Sequence, residues 1–147
     1  MNNPQNVAVL GGGSFGTVLA NLAASNGYNV SLWVRDSEQA LRINSEGANT
    51  TYHPELKLSP NIVASDNLKE VLNNKSIIFI ATPSIVFEQI IIRISDYIDE
   101  KPYLVSCTKG ILDEPFRPLS DVISSKLKNT IGAVSYTHLR AHETKAN

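Results

Sequence analysis

Apolar and polar positions along the chain fall into two alternating rhythms. Val7-Ala8-Val9-Leu10 is a short β-prone run. Residues 14–26 then take helical spacing, with Val18, Leu19, Leu22 and Ala23 on one stripe and Asn26-Gly27 as a stop. Val30-Ser31-Leu32-Trp33-Val34 predicts a second strand, joined to the first by a connection of the right length for a right-handed crossover. Residues 37–45 read as a short helix ending near Gly47, and 48–60, with Pro54 and Pro60, read as a loop. Ile62-Val63-Ala64 predicts a short strand, after which Ser65 or Asp66 caps a helix carrying Leu68, Val71 and Leu72. Ser76-Ile77-Ile78-Phe79-Ile80-Ala81 is apolar without alternation, the pattern of a parallel strand covered on both faces. Thr82 and Pro83 suit the N-cap and first position of a helix over 84–98, where Ile85, Gln89, Ile92 and Tyr97 mix core and surface positions. Tyr103-Leu104-Val105-Ser106 predicts a strand, Pro115 and Pro118 a loop, 119–127 a helix, and Ile131-Gly132-Ala133-Val134 the start of another strand.

The first junction carries the chemistry. Gly11, Gly13 and Gly16 follow the first strand as G-x-G-x-x-G and lead into the first helix. Gly11 permits a sharp turn, Gly13 lets backbone approach a phosphate, and Gly16 lets the helix pack close to the strand. Unpaired N–H groups of the first helical turn then face a pyrophosphate. No Gly-Lys-Ser/Thr follows at the spacing of an NTP-binding P-loop. Together these features predict an α/β fold with a Rossmann-type, doubly wound, mostly parallel sheet that binds a dinucleotide.

At the end of the second strand, where an acidic residue often meets the adenosine ribose, stands Arg35, followed by Asp36. A guanidinium there can pair with a 2′-phosphate, which tilts the cofactor toward NADPH. Alternatively Asp36 caps the next helix and Arg35 is solvated; both can hold together. Lys109, in Cys107-Thr108-Lys109-Gly110, lies either on the ligand-binding edge of the sheet or in a solvated loop. Tyr52 and His53 occupy a loop within reach of the cofactor, although His53 reads more simply as an exposed loop histidine.

Composition narrows the class. A length of 147 residues suits one domain, and a formal net charge of -1 provides no basic face for nucleic acid. Met1-Asn2-Asn3-Pro4-Gln5-Asn6 lacks the features of a secretory signal, and no apolar run reaches membrane-spanning length. A single cysteine, Cys107, excludes an internal disulfide and fits a reducing compartment, so a cytoplasmic location is expected. Asp99-Glu100 and Asp113-Glu114 read as solvated loop charges.

The end of the chain changes character. Residues 134–144 resemble the translated read-through of a transposase-type sequencing adapter. Residues 135–147 are therefore expected to be a non-native tail, and 1–134 a cofactor-binding domain incomplete at its C-terminal end, its gene continuing past the cut. His138 and His142 in that tail have no third ligand beside them, so no metal site is expected. Without the tail the chain holds 11 basic against 13 acidic residues, which leaves the charge argument unchanged.

With these residues in place, the chain resembles bacterial NAD(P)-dependent glycerol-3-phosphate dehydrogenase. The matching blocks are Gly11-Gly12-Gly13-Ser14-Phe15-Gly16-Thr17, Leu32-Trp33-Val34-Arg35, Asn49-Thr50-Thr51-Tyr52-His53-Pro54, Ala81-Thr82-Pro83-Ser84 and Thr108-Lys109-Gly110, in that order across residues 1–134. Departures are mild: Cys107 precedes Thr-Lys-Gly, and Gly12 stands where alanine is common. The resemblance implies that Ser14, Phe15, Arg35 and Tyr52, beside the turn of Gly11, Gly13 and Gly16, line NADP or NAD, with NADPH favoured. It implies that Lys109 touches both cofactor and substrate phosphate ester, stabilising charge and holding the carbonyl at hydride distance.

The reaction so implied moves a hydride between the nicotinamide and carbon 2 of glycerol 3-phosphate, giving dihydroxyacetone phosphate, and serves glycerophospholipid synthesis. The family's general-base lysine lies in a helical second domain that is missing from this sequence. No catalytic residue is therefore expected in the chain, which should bind cofactor without turnover and be marginally stable. A homodimer is expected for the full-length protein. Two alternatives stay open. One is another two-domain dehydrogenase of ketopantoate or 3-hydroxyacid type, against which Thr108-Lys109-Gly110 argues; the other is a non-catalytic dinucleotide-sensing module.

Overall fold

The computed structural model describes residues 5–108, 111–113 and 116–133. In chain order the elements are β1 (Asn6–Leu10), α1 (Ser14–Ser25), β2 (Asn29–Trp33), α2 (Ser37–Glu46), β3 (Ile62–Ser65), α3 (Leu68–Leu72), β4 (Ile77–Ile80), α4 (Ser84–Ser95), β5 (Tyr103–Ser106), β6 (Ile111–Asp113), β7 (Phe116–Pro118), α5 (Leu119–Lys126) and β8 (Ile131–Ala133). Six of the strands form one sheet in the order β3-β2-β1-β4-β5-β8, every neighbouring pair parallel. The chain builds outward from β1 to β3, then returns to lay β4 on the other side of β1. That reversal opens a crevice at the carboxyl ends of β1 and β4, the place where sheets of this kind take ligands. Leu10 is in register with both Trp33 and Ile80, so the three strand ends that floor the crevice are level.

Both faces of the sheet are covered, which explains the unbroken apolar runs in β1 and β4. On one face Val9, Val30 and Leu32 meet Ala20 and Ala24 of α1 and Ala40 and Ile43 of α2. On the other, Ala8, Leu10, Ile78 and Ile80 meet Val71 of α3, Phe87, Ile91 and Ile94 of α4, and Ile123 of α5. Each fully buried large aliphatic or aromatic side chain contributes about 1.5–3 kcal/mol relative to exposure. The doubly wound α/β expectation holds.

Several local expectations do not. Half of the predicted stripe of α1 packs inward: Leu19 and Ala23 are half-buried against the core, but Val18 and Leu22 are 44% and 60% exposed, and the most buried positions are Gly16, Thr17, Ala20 and Ala24. Small side chains bring this helix close to the sheet, and no room is left beneath it for larger ones. Ile85, Gln89, Ile92 and Tyr97 of the fourth helical segment all face outward, and Phe87, Ile90, Ile91 and Ile94 form its inner face. That helix ends at Ser95, and Tyr97 lies beyond it.

The cap of α3 is Asn67, whose side chain accepts from the Glu70 N–H at 3.2 Å; Ser65 Oγ instead accepts from Asn67 N at 3.0 Å. The segment expected as a loop around Pro118 is an antiparallel pair, β6 with β7, in which Pro118 ends a strand opposite Ile111. A terminal position in a two-stranded ribbon tolerates the missing N–H of proline. Pro115 and Val134 lie outside the described residues, as do His138 and His142. Among the described residues no helix is long and apolar enough to cross a membrane.

Candidate nucleotide site

The crevice at the β1–α1 junction is a cavity of about 900 Å³. Gly11 takes a φ of +123°, and a Cβ there would lie 2.6 Å from the Ala81 carbonyl oxygen. A Cβ on Gly16 would collide with the Gly11 carbonyl, so these two glycines are required by the fold itself. Gly13 differs. A Cβ built on it meets nothing within 4 Å, so no protein neighbour demands its missing side chain. The open space before it adjoins the first turn of α1, where Gly13 is an N-cap without a side-chain hydrogen bond and no acidic residue follows. A helix N-terminus without a side-chain cap, beside an unobstructed backbone, suits a diphosphate. Gly12 has its own reason: a Cβ there would strike Val34, so alanine would force that side chain to shift.

Side chains far away in sequence hold the turn. Asn49, 1% exposed, donates from Nδ2 to the Gly12 carbonyl and to Thr17 Oγ1, each at 2.8 Å. Gln39 Nε2 reaches the same Gly12 carbonyl at 2.9 Å and the Asn49 Oδ1 at 3.3 Å. Thr17 Oγ1 in turn donates to the Gly13 carbonyl at 2.7 Å. His53, read from the sequence as an exposed loop residue, is half-buried, with Nε2 3.0 Å from both Ser14 Oγ and the Ser14 carbonyl. The roles of Asn49 and Gln39 escaped the sequence reading, because no local spacing ties either to a turn 27 or 37 positions earlier.

Gly11, Gly13, Ser14, Phe15, Gly16, Arg35 and Tyr52 all line the cavity. Lys109 lies outside the described residues. Asp36 caps α2, accepting from the Glu38 N–H at 2.9 Å, and also lines the cavity beside the exposed Arg35. The opposite rim is the start of α4. The sequence placed its N-cap at Thr82; the cap is Pro83, with no side-chain hydrogen bond. The helix begins one residue too late for the Thr82 hydroxyl to reach its amides. That buried oxygen has no hydrogen-bond partner among the described residues. Thr108 Oγ1 donates to the Thr82 carbonyl at 2.7 Å, with the Ile80 carbonyl at 3.2 Å, and so ties the ends of β4 and β5 together. Burial raises the Cys107 thiol to about 11, which leaves it protonated and unreactive at neutral pH. No group of three metal-ligating side chains occurs among the described residues.

Comparison with known proteins gives this geometry its family. Residues 6–140 match the family profile of the NAD-dependent glycerol-3-phosphate dehydrogenase N-terminus. The NAD(P)+ glycerol-3-phosphate dehydrogenase of Alcanivorax borkumensis is 40% identical over 135 residues, covering 91% of this chain and 39% of that protein. The crystal structure of glycerol-3-phosphate dehydrogenase from Coxiella burnetii superposes with a TM-score of 0.82 at 30% identity, over 91% of this chain and 41% of that one. A ketopantoate reductase from Ralstonia eutropha, at 16% identity and a TM-score of 0.70, shares the fold alone. The chain thus spans about two fifths of the length of these glycerol-3-phosphate dehydrogenases. By the match across residues 6–140, it belongs to the family of NAD-dependent glycerol-3-phosphate dehydrogenase N-terminal domains.

Proposed function

We propose that this chain is the cofactor-binding part of an oxidoreductase that interconverts sn-glycerol 3-phosphate and dihydroxyacetone phosphate, in the service of glycerophospholipid synthesis in the cytoplasm. The observation that carries the reading is the open space before Gly13 beside the uncapped first turn of α1. Amides of Ser14 and Phe15 bind the diphosphate there, Gly11 and Gly16 hold the turn, and Tyr52 closes one side. The bound nicotinamide supplies or accepts the hydride; this chain's residues bind and orient it. Lys109, following Thr108 at the end of β5, meets the substrate's phosphate ester and the cofactor.

NADPH is the preferred cofactor. Support comes from Arg35 on the cavity rim, which makes no ion pair among the described residues, so its guanidinium is available to a 2′-phosphate. The acid–base group belongs to a further domain, and the full-length protein forms a homodimer. Residues 135–147 are adapter-derived, and 1–134 are the native part. Re-amplifying the gene from source DNA tests that division: a reading frame that keeps Tyr136-Thr137-His138 would overturn it.

For the function itself, the purified chain is titrated with NADPH and NADH and assayed with dihydroxyacetone phosphate. Saturable binding without turnover is the expected result. If neither dinucleotide binds, the cofactor assignment fails; if turnover survives stringent purification, the missing acid–base group is the wrong idea.

A further inference from the structure

We propose that Arg93 is a second guanidinium for the adenosine 2′-phosphate, acting together with Arg35 in the same crevice; this rests on the NADPH reading above. Arg93 belongs to α4 and Arg35 follows β2, yet both line one cavity. The guanidinium carbon of Arg93 lies 5.6 Å from the centroid of the Trp33 ring. Trp33 is a fixed platform. It is buried at the end of β2, and its indole N–H donates to the Asp66 carbonyl at 3.0 Å.

A ring face attracts the charge of a guanidinium but occupies none of its N–H donors. Arg93 makes no ion pair among the described residues, so its fork is available to an anion entering the cavity. The local charge count points the same way. Among the described residues that line the cavity, the charged ones are Arg35, Asp36 and Arg93. The Asp36 carboxylate, which lines the same cavity, offsets part of the positive charge that Arg35 offers a phosphate. Asp36 also has one oxygen engaged by the Glu38 N–H, which keeps the carboxylate in place. Arg93 turns that balance positive, as a doubly charged 2′-phosphate needs and a ribose hydroxyl does not.

The test uses the 147-residue chain and two ligands differing only in the 2′-phosphate, NADP+ and NAD+, titrated by calorimetry. Arg93→Gln should weaken NADP+ by about tenfold and leave NAD+ within about twofold. Arg93→Lys keeps the charge, loses the fork and should fall between. Because Arg93 is exposed on the helix, neither variant should disturb folding, and an unchanged far-ultraviolet circular dichroism spectrum with a cooperative thermal melt checks this. Equal losses for both ligands would make Arg93 a cover for Trp33 and overturn the proposal. A preference abolished by Arg35→Ala yet untouched by Arg93→Gln would overturn it while sparing the NADPH reading. A parent chain with no preference for NADP+ would overturn both.

Discussion

Asn49 Nδ2 donates to the Gly12 carbonyl at 2.8 Å, tying a loop residue to the middle of the glycine turn. A second donation to Thr17 Oγ1 makes this one amide the link between loop, turn and helix. Asn49→Leu should therefore destabilise the chain by about 1–3 kcal/mol, since the buried groups it serves lose their partner. Urea unfolding measures this. An unchanged midpoint would mean that Gln39 alone holds the turn.

Gly11 and Gly13 separate folding from binding. Gly11→Ala meets both a left-handed φ and the Ala81 carbonyl, and should unfold more easily by about 1–3 kcal/mol. Gly13→Ala meets nothing and has a φ of -80°, so its stability should change by less than about 1 kcal/mol. Its affinity for a dinucleotide should fall nonetheless, because the new methyl group projects where a phosphate would lie. Parallel thermal melts and NADPH titrations of the two variants check the contrast.

Arg35→Ala should weaken NADPH more than NADH, by roughly 1.5–3 kcal/mol for a charge-assisted contact. Titration of both cofactors decides it; equal losses would assign Arg35 to solvent.

The outward position of Val18 and Leu22 in α1 predicts an inverted mutational pattern. Leu22→Glu should alter the stability of this chain by no more than about 0.5 kcal/mol, as at other exposed sites. Ala20→Leu should cost about 1–3 kcal/mol, because added methylenes have no space between helix and sheet. The reverse ranking in denaturant melts would restore the stripe read from the sequence.

Cys107 gives a pH dependence with a defined sign. Burial raises its thiol from an ordinary 9.0 to about 11, so the folded chain keeps a proton that the unfolded chain releases first. The resulting stability is complete below about pH 9 and is lost as pH rises through about 11. Unfolding free energies across that window should fall more steeply for the parent than for Cys107→Ala. At about pH 8 the thiol should also alkylate far more slowly than a free cysteine.

Much of the fold was visible in the sequence because its signals are local. The run Val7 to Leu10, the glycine spacing after it, and the caps Asp36 and Gly47 each act within a few residues, and the structure keeps them all. What escaped depends on residues distant along the chain or on the space available at a contact. Apolarity chose Val18, Leu19, Leu22 and Ala23 for the inner face of α1; Leu19 and Ala23 do pack there, but closeness to the sheet selected Ala20 and Ala24 for its centre and left Val18 and Leu22 outside. Pro118 argued for a loop until its strand proved to be half of an isolated pair. Asn49, Gln39 and Arg93 approach the site from other elements, and no spacing rule marks them. Lys109, prominent in the sequence, lies outside the described residues.

The starts of α1 and α4, both without a side-chain cap and both facing the crevice, couple occupancy to folding. A dinucleotide that satisfies those amides binds the native chain and not the unfolded one. At a hundred times its dissociation constant it adds about 2.7 kcal/mol to the unfolding free energy. The melting temperature of this domain is thus a property of the solution as much as of the polypeptide, and any ranking of its variants holds only at a stated ligand concentration.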